Sequence, residues 1–209
     1  MCGRFALNDY KGVRDLFRDL SIEIPEGEPR YNIAPGSLIP GLLNDLIFRF
    51  DIRWGMTPPW AKENTLLFNA RSETIHSKTS FKKHIKLHRM IFPASGFYEW
   101  KKEGNQKTPF YFTSPDGFPF ALAGIYRVSK DGIYQACMIT TEASNAMKSV
   151  HDRQPVIIAK SEIKEWLTSE DETIVDRMMQ PSESLNMIQV SSYVNHSQNE
   201  GPDCIRSVS

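Results

Sequence analysis

Val13, Leu16, Phe17 and Leu20 recur at helical spacing behind Asn8, so the pattern predicts a first helix with Asn8 as its N-cap. Pro25, Pro29, Pro35 and Pro40 then make residues 22–40 loop-rich. LIPGLL and LIFRFDIRW flank Asn44-Asp45, which predicts a hairpin over 38–54. TPPWAKEN (57–64) reads as a loop and 72–87 as short helices. From 89 to 140 the pattern turns to strand, in the runs RMIFPASGFYEW, PFYFT, FPFALAGIYRV and IYQACMIT. The turn signals EGN, SPDG and SKDG separate them.

Beyond that, the pattern predicts a helix at 143–149, a strand at 155–159, a helix from Ser161 and a short helix at 171–179. NMIQVS (186–191) reads as a last strand, and the polar tail after 195 as loosely held. Strands and helices mix without regular βαβ alternation. The expected class is therefore α+β, with a largely antiparallel or mixed sheet. No repeat or Pro/Gly/Ser linker divides the 209 residues, so one domain over 1–209 is expected.

Composition narrows the function classes. Hydrophobic residues make up 40% of the chain, enough for a real core, which excludes disorder as the overall state. Twenty-five basic and 25 acidic residues give zero formal charge, which argues against coating nucleic acid by bulk charge. No apolar stretch approaches the ~18–20 residues of a membrane helix, and the start carries no apolar signal region. Cys2, Cys137 and Cys204 are odd in number and far apart. They fit neither a disulfide framework nor a four-Cys zinc site, and they point to a reducing cytoplasm.

Charge is nevertheless local. Residues 71–107 hold nine Lys and Arg against Glu73, Glu99 and Glu103, so the window carries +6 and the remainder −6. Such a face suits an anionic ligand, though a solvated helix surface looks the same in sequence. His76, His84 and His88 fall in this window. No carboxylate or Cys joins their spacing, so no metal is expected.

Cys2 carries the most distinctive chemistry. Loss of the initiator Met leaves a free α-amine of pKa roughly 7.7–8.0 beside a thiol of roughly 8.5. A 1,2-aminothiol condenses with an aldehyde to a Schiff base, which the thiol closes to a thiazolidine. An internal Cys cannot do this. Alone, a Cys at this position is ordinary; Gly3, which permits close approach, and Arg4, an anion fork, make it more telling. Glu99, between Tyr98 and Trp100 in a strand run, is either on a solvent face or in a pocket that raises its pKa. His151, before a buried strand, suits proton transfer near neutrality, with Asp152 and Arg153 orienting it or capping the strand. Tyr31, Asn32, Trp54 and Trp60 offer base-stacking or core positions.

The segments MCGRF, RYNIAPG, WGMTPPW, FNARSE, PASGFYEWKKEG and TTEASNAMKSVHDRQPVII occur in this order along nearly the whole chain. Together they resemble the SRAP family (SOS-response-associated peptidase, the abasic-site processing proteins). The resemblance implies a compact α+β domain with a barrel-like mixed sheet. It also implies binding of single-stranded DNA containing an abasic site, whose ring-opened aldehyde is captured by Cys2 as a thiazolidine crosslink. Carried onto this sequence, Cys2 is the nucleophile after loss of Met1, and Asn69 positions the amine or sugar. Glu99 is the acid/base, and His151 holds or protonates the sugar oxygen and supports strand scission by β-elimination. Arg4 and Arg71 clamp phosphates, Trp60 and Trp100 stack beside the lesion, and Asn32 and Thr140 line the pocket.

This sequence departs from the family pattern at Ala61, where an aromatic is common, and at Val150. Peptidase activity, as removal of the residue before Cys2, would matter only for extended N termini. The resemblance implies no cofactor and a monomer working at DNA in the cytoplasm. Two other readings remain open from the residues: an N-terminal-nucleophile amidohydrolase using Cys2, which needs a four-layer αββα sandwich, and a non-catalytic single-strand binding module, indifferent to Cys2.

Overall fold

The computed structural model describes residues 2–58, 60 and 65–208. In chain order its strands begin with β1 (Phe5–Leu7), β2 (Arg30–Ile33), β3 (Leu38–Leu43), β4 (Phe48–Trp54) and β5 (Asn69–Arg71). There follow β6 (Arg89–Ala94), β7 (Gly96–Glu103), β8 (Gln106–Thr113), β9 (Phe120–Val128) and β10 (Tyr134–Glu142). The last are β11 (Arg153–Pro155), β12 (Ile157–Ile158) and β13 (Asn186–Gln189). The helices are short: α1 (Tyr10–Leu16), α2 (Lys82–Leu87), α3 (Ile163–Thr168) and α4 (Glu172–Met178).

Five strands close on themselves in the order β10-β4-β3-β6-β9 and back to β10. The β10–β4 pairing is parallel and the other four are antiparallel. Closure leaves these strands no free edge. It also explains why FALAGIYRV and YQACMITTE are buried on successive residues rather than alternately, since both faces are covered. The second sheet, β13-β8-β7-β1-β2, is antiparallel throughout. The two sheets share one core: Phe5 of the second sheet packs on Trp54 of the barrel at 5.2 Å and on Phe92 at 6.3 Å. The single α+β domain expected from the pattern is thus a mixed barrel with a sheet packed against it.

The strand run at 89–103 passes from one sheet to the other at Ser95. Ser95 donates its N–H to Ala6, and its Oγ accepts from Asn8 and Asp9. Gly96 follows because a Cβ there would lie 2.4 Å from the Tyr111 ring. This corner also moves the first helix cap. The Asn8 N–H is engaged by Ser95, and Asp9, not Asn8, caps α1 by accepting from Gly12 at 2.8 Å. The expected helix at 143–149 is a set of turns. Its first backbone donors go to side chains, Ser144 N–H to Gln154 at 2.7 Å and Asn145 N–H to Glu183 at 3.3 Å.

The tail after 195 is held. Residues 192–195 and 202–205 form single 3₁₀ turns, and Val194 and Cys204 are buried against Ala6, Tyr98 and Tyr111. Trp54 is also buried, donating its Nε1–H to Phe68, so it packs the core and offers no face to a base. Among the described residues no helix is long and apolar enough to cross a membrane.

Candidate functional site

β10 arranges the site. Its first half, Tyr134–Ala136, pairs with β4; its second half takes β5 on the same edge and β11 on the other. Thr140 therefore lies opposite both Arg71 and Pro155. Two motifs far apart in sequence, FNARSE and HDRQP, are laid on either side of one strand end. The chain's start arrives from the second sheet. Phe5 pairs with Phe97, and Tyr98 donates its N–H to the Arg4 carbonyl at 2.9 Å, so the antiparallel course carries Cys2 alongside the Glu99 region of β7.

Cys2, Asn69, Glu99 and His151 come together here. Asn69 donates its Nδ2–H to the Cys2 carbonyl at 2.7 Å. Its Oδ1 is buried and has no hydrogen-bond partner among the described residues. The Cys2 thiol, fully buried, donates weakly to the Arg4 carbonyl at 3.7 Å. Burial and the nearby Glu99 carboxylate push its pKa well above the ordinary thiol range. Glu99 alternates inward on β7, 3% exposed, and burial lifts its carboxyl to about 7. His151 Nε2 lies 4.0 Å from Glu99 Oε2, and burial lowers the imidazole pKa. A carboxyl near 7 beside a neutral imidazole can pass protons in either direction at physiological pH.

The neighbouring charge is mixed. Arg71 is exposed and lines a cavity of about 360 Å³ with Glu142, Lys148, Asp152 and Arg153. Thr140 is fully buried; its carbonyl accepts from Arg153 at 2.7 Å, so it serves the frame of the site. Trp60 is 70% exposed, while Ala61 lies outside the described residues.

Arg4, Asn32 and Trp100 are turned toward the tail. Arg4 Nη1 donates to Asn32 Oδ1 at 2.5 Å and to the Val194 carbonyl at 3.1 Å, with its guanidinium 5.6 Å from the Trp100 ring. Asn32 Nδ2 reaches the carbonyls of Val194, His196 and Asn199. Trp100 Nε1–H donates to Asn195 at 2.7 Å.

Part of the basic window is neutralised or buried. Lys86 pairs with Glu172 at 2.5 Å and His76 with Asp176 at 2.7 Å, both carboxylates on α4. Arg89 is buried and donates to carbonyls ending α2 and α3, including Ile85 at 2.7 Å. His84 and His88 face each other at 3.0 Å, away from His76's partners, and burial holds His84 at about 4. Among the described residues no group of three or more His, Cys, Asp or Glu is placed to hold a metal.

Sequence reasoning missed Glu73. It grips Arg153 through both carboxylate oxygens, at 2.5 and 2.9 Å. Both residues stand inside the quoted motifs, but nothing in their spacing joins them.

A mixed β-barrel with a buried N-terminal cysteine facing a carboxyl and an imidazole defines a recognisable class. The chain belongs to the SOS response associated peptidase (SRAP) family, whose model matches residues 1–197. Among its relatives is the abasic site processing protein YoqW of Bacillus subtilis, 36% identical over 99% of this chain and 100% of that protein. The abasic site processing protein YedK of Escherichia coli is 31% identical, with each chain fully covered. Of solved structures, a Bacteroides thetaiotaomicron protein superposes with a TM-score of 0.85 over 99% of this chain and 100% of that one. At 22% identity it speaks to the fold alone. The barrel is not the four-layer αββα sandwich that the amidohydrolase reading requires.

Proposed function

We propose that this protein processes abasic sites, capturing the ring-opened sugar in single-stranded DNA through Cys2 once Met1 is removed. The observation that carries the reading is Asn69. One end of its amide is fixed on the Cys2 carbonyl, and the other is a buried acceptor in want of a donor. The α-ammonium of a terminal Cys2 supplies such a donor. The deprotonated amine attacks the aldehyde carbon, and Glu99 protonates the hydroxyl that leaves as water. The thiol then adds to the imine carbon, giving up its proton to Glu99, and the ring closes. One water is lost overall. Burial keeps the Cys2 thiol protonated, so a base is needed, and a carboxyl near 7 is matched to that task.

His151 stands beside Glu99, where its Nε2 can hold the sugar oxygen or, in a lyase side reaction, assist β-elimination of the 3′ phosphate. Arg71 supplies a phosphate contact, and Trp60 and the half-exposed Trp100 supply faces for bases. Autocatalytic hydrolysis of the bond before Cys2 belongs to the same reading. So do a monomeric working form and action at cytoplasmic DNA.

Intact-protein mass spectrometry with an abasic single-stranded oligonucleotide tests it. Protein starting at Cys2 should gain the oligonucleotide mass minus one water, and Cys2→Ala should gain nothing. Absence of the adduct from protein confirmed to start at Cys2 would sink the crosslinking reading. Salt-sensitive binding indifferent to Cys2→Ala would then favour the plain single-strand binding module.

A further inference from the structure

The imidazole of His151 has two nitrogens with different neighbours. Nε2 faces Glu99 at 4.0 Å. Nδ1 accepts the Arg153 backbone N–H at 2.9 Å, and the Asp152 carboxylate also approaches it at 2.8 Å. These two contacts demand opposite proton states. An N–H donates only to an unprotonated nitrogen, whereas a carboxylate draws a proton onto it. Asp152 is 87% exposed, so water competes for its carboxylate. The Arg153 amide is fixed at both ends. β11 pairs Arg153 with Glu142, and Ala143 donates to the Asp152 carbonyl at 2.9 Å. The Arg153 side chain is buried, clasped by both oxygens of Glu73 and by the Thr140 carbonyl at 2.7 Å.

We infer that the Glu73–Arg153 clasp fixes His151 as the Nε2–H tautomer facing Glu99, making Glu73 a positioning residue of the site through Arg153. Its bearing on catalysis rests on His151 acting in the proposed crosslinking. With the clasp in place, Nδ1 is filled by a main-chain donor and the only mobile proton points at Glu99. Without it the 151–153 turn relaxes, Asp152 draws a proton to Nδ1, and the proton facing Glu99 is no longer guaranteed. Among the described residues, the charged groups acting on this ring are Glu99 and Lys102 from β7 and Asp152 from its own turn.

The test is the tautomer itself, read by long-range ¹H–¹⁵N correlation on histidine-labelled protein. Five histidines are present, and His151→Gln assigns the signal. Wild type at pH 8 should show a single Nε2–H form. Glu73→Gln should populate Nδ1–H and move the ring's titration midpoint up by roughly half a unit or more. In the same variant the crosslinking rate should fall roughly tenfold with oligonucleotide Kd unchanged, and Glu73→Asp should recover part of it. An Nδ1–H form in wild type overturns the inference, even if no variant folds. So does a Glu73→Gln protein with the wild-type tautomer. The spectrum needs no DNA, so a protein that fails to crosslink but shows the clasp-dependent tautomer sinks the proposed function and leaves this assignment standing.

Discussion

The Asn69 side chain donates to the Cys2 carbonyl at 2.7 Å from the first residue of β5, a strand that pairs with β10. The Cys2 carbonyl is therefore tethered by a residue 67 positions away in the chain, on a strand of the other sheet. Asn69→Ala removes this tether and leaves a buried carbonyl unsatisfied, costing about 1–3 kcal/mol of stability. The larger effect should be on reaction. Single-turnover crosslinking should slow roughly 10–100-fold while oligonucleotide affinity, read by anisotropy, stays within a few-fold.

Glu99 should leave a signature in stability as well as rate. Its folded pKa of about 7 lies above the ordinary value of 4.5, so the folded state binds the proton more tightly than the unfolded chain. Stability should therefore fall as pH rises from about 4.5 to about 7 and then level off. Glu99→Gln removes that slope and, above pH 7, stabilises the protein by up to about 3 kcal/mol. Crosslinking by the same variant should drop roughly 10²–10⁴-fold. Urea titrations of both proteins across pH 4–8 check the first part. Parallel curves would mean that Glu99 does not titrate in this window.

The residues that the structure brings together at the candidate site were legible because they stand in short motifs. Cys2 is conspicuous by position, and Glu99 and His151 are conspicuous as polar residues in apolar surroundings. The strand run left Glu99 open between a solvent face and a pocket, and its burial at 3% exposure decides for the pocket. The barrel-like sheet was legible only through the family resemblance, because the parallel β10–β4 pairing joins distant segments and leaves no local pattern. The Glu73–Arg153 clasp was hidden for the same reason. The tail reads as loose in sequence because many of its contacts are polar: Glu200 accepts the Tyr31 and Asn32 N–H groups at 2.8 and 3.1 Å, and hydropathy does not see such contacts.

That tail yields a prediction at Asn32. Its amide joins three tail carbonyls and the Arg4 guanidinium, all at a buried position. Asn32→Ala strands several polar groups at once, so a loss of roughly 2–4 kcal/mol is expected in urea denaturation. Residues 192–206 should gain amide exchange while the barrel strands stay protected. Equal loss of protection in β9 and β10 would show that the tail and the barrel unfold as one unit.

Arg4 and Arg71, both expected to clamp phosphates, stand in different surroundings. Both are arginines in the motifs that carry the family resemblance. Arg71 is exposed beside the cavity it shares with Lys148, whereas Arg4 donates to Asn32 and Val194 and lies over Trp100. A phosphate contact releases counterions, and each one adds roughly 0.7 to the slope of log affinity against log salt for a single strand. Arg71→Ala should thus flatten that slope by about one such increment and leave urea stability within about 0.5 kcal/mol. Arg4→Ala should do the reverse. It removes donors to Asn32 and to a main-chain carbonyl, so stability should fall by about 1–3 kcal/mol with the salt slope unchanged. Measuring both variants by anisotropy from 50 to roughly 300 mM salt, alongside urea titration, distinguishes the roles. A flattened slope for Arg4→Ala would mean that binding DNA pulls its guanidinium away from the tail and onto the strand.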